Sequence, residues 1–146
     1  MNKIMKQMMI VFALVSLISG SAFADTILRV SGAPAGQLWF ALERIGVQTD
    51  PAPDAAFMLL SVVECRMGFS VDHREEFWRC VAEQDSGKIQ WRASEGKARD
   101  LIAALADAGV PEMGAVESTV FSATQVRCGK SLRTTRPQVA CDLVVR

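Results

Sequence analysis

Residues 27–47, ILRVSGAPAGQLWFALERIGV, recur in altered form as residues 90–110, QWRASEGKARDLIAALADAGV, and the register between the two decides how the chain folds. Continued without a gap, the offset of 63 lays Ile27–Cys65 over Gln90–Cys128 with 11 identities in 39 positions. Arg29 meets Arg92, Ser31 meets Ser94, Leu38 meets Leu101, Gly46 meets Gly109, Val63 meets Val126 and Cys65 meets Cys128. The second cysteines, Cys80 and Cys141, miss this register by two residues. Self-similarity over such a length marks an internal duplication in which each copy is one supersecondary unit.

The apolar positions Ala35, Leu38, Trp39, Leu42 and Ile45 recur at helical spacing, and Gly46 supplies a left-handed stop. In the second copy Ser94 is placed to cap a helix carrying Ala98, Leu101, Ile102, Leu105 and Ala108, which Gly109-Val110-Pro111 ends. Thr26 to Val30 predicts a short strand ahead of the first helix, and Ile89 to Ala93 alternates in the same way ahead of the second. The prolines of Gln48–Asp54 predict a loop without regular structure.

Beyond that loop Leu59, Ser61, Val63, Cys65, Met67 and Phe69 predict one face of a strand, with Glu64 and Arg66 on the other. The polar tip Asp72–Glu76 leads into a second strand whose inner face carries Trp78, Cys80 and Ala82. In the second copy Val120–Gly129 is the first strand and Lys130–Pro137 the tip. Val139, Cys141, Leu143 and Val145 then form the inner face of the last strand. Each copy reads strand, helix, strand, strand.

The copies, residues 26–83 and 89–145, are joined by the short linker Gln84–Lys88. Pieces this small bury a marginal core alone, so the two are expected to share one. The expected fold is α+β, a single domain over residues 25–146: one largely antiparallel sheet, both helices on one face, and two hairpin disulfides.

Residues 1–24 predict a cleaved secretory signal: Lys3 and Lys6, the apolar run Met8–Ile18, then Ala22-Phe23-Ala24 before Asp25. Without Lys3 and Lys6 the remaining 122 residues carry 14 basic and 16 acidic side chains, a formal charge of −2. That balance asks for neither nucleic acid nor an anionic membrane, and no later apolar run is long enough to insert stably. The expected location is the periplasm, or the medium beyond it.

All four cysteines lie after the leader, where an oxidising compartment favours disulfides. Four cysteines allow three pairings, and the duplication selects among them: Cys65 with Cys80 and Cys128 with Cys141 each straddle one polar tip. Zinc needs closely spaced ligands, whereas these cysteines stand 15, 48 and 13 positions apart and His73 is the only histidine, so no metal or other cofactor is expected.

A nucleophilic centre would have to use His73, which the pattern puts on a solvated tip, and Glu75-Glu76 and Glu112 with Glu117 read as ordinary surface charge. No phosphate-binding glycine motif is present, and no catalytic residue is expected. Trp39, Trp78 and Trp91 fall on apolar faces and read as core, Trp91 being the best placed of the three to serve instead as an exposed anchor.

The tips diverge while the core positions agree. Asp72, His73 and Arg74 make the first of mixed sign, and Lys130, Arg133 and Arg136 make the second purely basic. Loops that differ on a shared scaffold are where partners are expected to touch, with the proline loop Thr49–Asp54 as a third candidate. Secreted inhibitors such as the β-lactamase inhibitory proteins offer an architectural comparison, being tandem α/β repeats with one disulfide each; no residue is carried over from it. The expected function is binding another protein, as an inhibitor of a hydrolase or an immunity protein against a toxin. An accessory part in an envelope assembly or secretion system is the alternative, and a small periplasmic enzyme comes third.

Overall fold

The computed structural model describes residues 25–146 apart from Val116, Thr134 and Pro137, so the expected leader lies outside the described residues. In chain order the first half contributes β1 (Thr26–Ser31), α1 (Ala33–Arg44), β2 (Asp50–Ala52), β3 (Ala55–Leu60), β4 (Val62–Ser70) and β5 (Glu75–Gln84). The second half repeats the order as β6 (Ile89–Ser94), α2 (Glu95–Asp107), β7 (Met113–Ala115), β8 (Ser118–Ala123), β9 (Gln125–Ser131) and β10 (Gln138–Val145). Adding 63 carries each of the first four strands onto its counterpart, and adding 61 carries β5 onto β10, so the duplication is as plain in the elements as in the residues.

The helices end alike. Gly46 and Gly109 have φ of 103° and 94°, a region glycine enters without steric cost. Val47 and Val110 donate back to the carbonyls of Leu42 and Leu105 at 3.2 and 3.0 Å, closing both helices with a six-to-one turn. Their starts depart from expectation, since Ser94 occupies the cap position of α2 without a side-chain capping bond and Gly32 holds that place in α1.

The α+β class, the antiparallel pairing and both disulfides are as the sequence predicted, but the strands form two sheets of five. Sheet A has the order β1-β10-β9-β3-β2 and sheet B the order β6-β5-β4-β8-β7. The single-sheet expectation fails at Ser61 and Thr124, where the chain passes from one sheet to the other. Met58 and Leu60 are buried on sheet A, then Val63 and Cys65 on sheet B, so burial advances by three residues across Ser61 instead of two. The Ser61 amide and hydroxyl both donate to the Glu83 carbonyl, at 2.8 and 3.1 Å, and those of Thr124 donate to Val144, at 2.8 and 3.2 Å. These bonds satisfy the backbone where the ladder changes partner.

Two three-residue strands, β2 and β7, also lie where no strand was expected. Pro51 sits in β2, which pairs only with β3, so its missing N–H faces outward from the sheet edge, where proline is tolerated.

Each helix lies on its own sheet instead of sharing one face. α1 packs against β1 and β10, α2 against β5 and β6, and the helices meet each other, with Arg44 and Asp100 paired across them at 2.6 Å. One continuous apolar core runs through both sheets and includes Leu38, Leu42, Leu101, Leu105, Val63, Val126 and Leu143. The disulfides Cys65–Cys80 and Cys128–Cys141 belong to this core, with Cα separations of 4.1 Å in both. They do not brace exposed hairpin ends: Cys80 Sγ lies 3.6 Å from the Ala98 carbonyl on α2, and Cys141 Sγ lies 4.0 Å from that of Ala35 on α1.

Candidate functional site

Of the three loops singled out by divergence, two come together. The Leu132 amide donates to the Asp54 carbonyl at 2.9 Å and Arg133 pairs with the Asp54 carboxylate at 2.8 Å, so the basic tip is tied to the proline loop on sheet A. Lys130 is half-buried, its Nζ 5.8 Å from the centre of the Trp39 ring, and Arg136 is exposed. Asp72, His73 and Arg74 are exposed at the turn between β4 and β5, at the end of sheet B where the Phe69 amide donates to the Glu117 carbonyl. The first tip therefore belongs to the other sheet, and the three loops do not make one surface.

The tryptophans are placed unequally. Trp39 is buried and its indole N–H donates to Glu43 at 3.0 Å. Trp78 and Trp91 are half-buried, and the Arg99 guanidinium from α2 stacks over Trp78 at 3.9 Å.

Beside the basic tip opens a cleft of about 870 Å³. It lies between the start of α1 (Ser31, Gly32, Gly36) and the far ends of β9 and β10 (Gly129, Lys130, Val139, Ala140), with Phe57 of β3 as an aromatic wall. Phe57 is 42% exposed, with its ring edge against Gly129, so the ring is presented to solvent.

The duplication explains why the cleft is there. In sheet B the counterparts of Gly36 and Val139 are Arg99 and Trp78, stacked on one another, and the counterparts of Gly129 and Ala140 are Arg66 and Arg79, paired across β4 and β5. At all four positions a large side chain in one half is replaced by a small one in the other. Sheet B and its helix fill with their own side chains a space that sheet A and its helix leave open.

The outer faces of the two sheets differ in the same sense. Sheet B presents Glu64, Arg66 and Arg79, whereas sheet A presents Phe57 and Leu59, 42% and 41% exposed, next to Gly129 and beside the charged pair Arg127 and Asp142. Sequence reasoning found the tip and missed the cleft. The signal was available in the alignment itself, as aligned positions where tryptophan and arginine face valine and glycine.

Among the described residues no group of three or more His, Cys, Asp and Glu side chains is clustered to hold a metal ion, and no helix is long and apolar enough to cross a membrane. No protein-family model matches the chain, and no curated protein or solved structure matches it.

Proposed function

We propose that this is an exported protein-binding module of the periplasm that acts by occluding its partner, as an inhibitor of a hydrolase or an immunity protein against a toxin. One observation carries this reading: on a scaffold of two matching halves, one half is filled and the other keeps an open cleft walled by an exposed aromatic and flanked by a basic tip. A fold needs neither the empty space nor the exposed Phe57 for its stability, and an exposed aromatic beside small residues is the composition of an interface anchor. The reading assigns the protein no reaction of its own. Its contact surface is Phe57 and the cleft, with Lys130, Arg133 and Arg136 steering the approach of an acidic partner.

The test uses tagged mature protein and a partner captured by cross-linking in envelope extracts. Phe57→Ala should weaken binding of that partner by about tenfold, the scale of a buried anchor lost from an interface. Reversing Arg133 and Arg136 to Glu should slow association and flatten its dependence on salt, with the fold kept and only a small loss of stability from the exposed Arg133–Asp54 pair. A partner held equally well by both variants, and released only when Arg66 or Arg79 on sheet B is changed, would place the contact on the opposite sheet and reject this surface.

A further inference from the structure

The space left open in sheet A has a known shape, because its counterpart in sheet B is occupied. There Trp78 stands on β5 two residues before Cys80, half-buried against the core, with Arg99 of α2 over its face at 3.9 Å. In sheet A the same place is bounded by Val139, two residues before Cys141, by Gly36 on α1 and by Lys130, which pairs with Val139 as Met67 pairs with Trp78. The disulfide beneath and the helix carbonyl above it are the same in both halves.

Gly36 is not there for the backbone. It lies inside a helix, where glycine is less favourable than alanine, and a Cβ built on it would meet nothing within 4 Å. Its small size serves the open space beside it.

We infer that the cleft receives an aromatic side chain from an extended segment of the partner protein, seated where Trp78 sits in the other half, with a neighbouring carboxylate of that segment meeting Lys130. This rests on the protein-binding reading and names the chemistry of what is bound. The charge follows from Lys130: it lines the cleft beside Val139, its Nζ lies 5.8 Å from the centre of the Trp39 ring, and no carboxylate is paired with it among the described residues.

A polypeptide fits better than a free aromatic molecule because of how the sheet ends. β1 pairs with β10 only as far as Ser31 with Ala140, so Gln138 and Val139 run on without a β1 partner on that side. An extended chain can continue the ladder there, which a lone ring cannot.

The probe is the capped dipeptide acetyl-Trp-Asp-amide, titrated into the mature protein and followed by amide chemical shifts. Binding on the order of millimolar is expected for so small a ligand, with shifts centred on Gly36, Lys130 and Val139. Acetyl-Ala-Asp-amide should leave those amides unmoved. Gly36→Arg with Val139→Trp copies the filled half into the open one, and should abolish the shifts while leaving the melting temperature equal or higher. Gly36→Leu, which only occupies the open space, should weaken the probe at least about tenfold even if the double variant folds poorly.

Shifts scattered over the surface, or persisting in Gly36→Leu, would overturn the inference. So would equal binding of free indole, which would make this a site for small aromatic molecules. If the probe binds as expected but a captured partner ignores both Gly36→Leu and Phe57→Ala, the protein-binding reading fails while the aromatic cleft stands. If the partner is lost in those variants but the probe never binds, the aromatic assignment fails alone.

Discussion

Cut within the linker between Asp85 and Lys88, the two halves of this protein should each be unfolded alone and fold together when mixed. The reason is the order of strands. The first half supplies β1, β2 and β3 to sheet A, but β10 and β9 of the second half stand between β1 and β3. The hairpin β4–β5, in turn, completes a sheet whose other three strands come from the second half. Neither half can assemble more than a pair of its own strands in either sheet, and an isolated two-stranded ribbon is marginal in water. Far-UV circular dichroism should show no cooperative melting for either fragment. The equimolar mixture should melt in one transition whose midpoint rises with concentration, as for any folded complex of two unfolded chains. A monomeric first half with a cooperative transition of its own would sink the interlocked arrangement.

The second large effect lies in the disulfides. Replacing Cys65 and Cys80 together with Ala should lower stability by about 3 kcal/mol, the chain-entropy value for a loop of this length, and the melting temperature by roughly 10–20 °C. The same exchange at Cys128 and Cys141 should cost a similar amount, because that loop is shorter by two residues only. The four cysteines are 0–2% exposed under the helices, so thiol reagents should reduce the bonds only as fast as the protein opens. Rapid reduction of the folded protein, at a rate that scales with reagent rather than with unfolding, would contradict the buried placement.

How far the chain could be read in advance depended on what periodicity encodes. The offset of 63 and the stripes of Leu38, Leu42, Leu101 and Leu105 are local patterns, and the helices followed them. The cysteine pairing was legible because duplication restricts it. Which strand lies beside which is a property of the assembled sheet, and alternation within a strand carries no label for its neighbour, so the exchange of hairpins between halves was not legible. Ser61 shows the limit closely. Leu59, Ser61, Val63 and Cys65 alternate without interruption, yet the buried residues are Met58 and Leu60 before it and Val63 and Cys65 after it. The flanking apolar residues satisfied both phases, and only packing chose between them.

The cleft was missed for a related reason. Its residues are glycine, alanine and valine, and an absence of bulk has no signature in a single segment. It becomes visible when the halves are superposed and Trp78 falls on Val139. The basic tip, by contrast, announced itself as three positive charges in seven residues, and the structure adds that Arg133 is tethered to Asp54.

The position of β10 sets a sequence of events for a chain that emerges from its N-terminus onward. Every strand of sheet B lies before residue 124, so that sheet has all its parts before β9 and β10 of sheet A are made. Sheet A does not: β1, the first strand among the described residues, has β10 as its only neighbour in the sheet, and β10 is not complete until Val145. Until then β1 has an unpaired edge on both sides. A nascent chain arrested after Ala123 should therefore protect the amides of β4, β5 and β8 from hydrogen exchange and leave those of β1 open. β10 closes the sheet against β1, and with it the cleft acquires its floor.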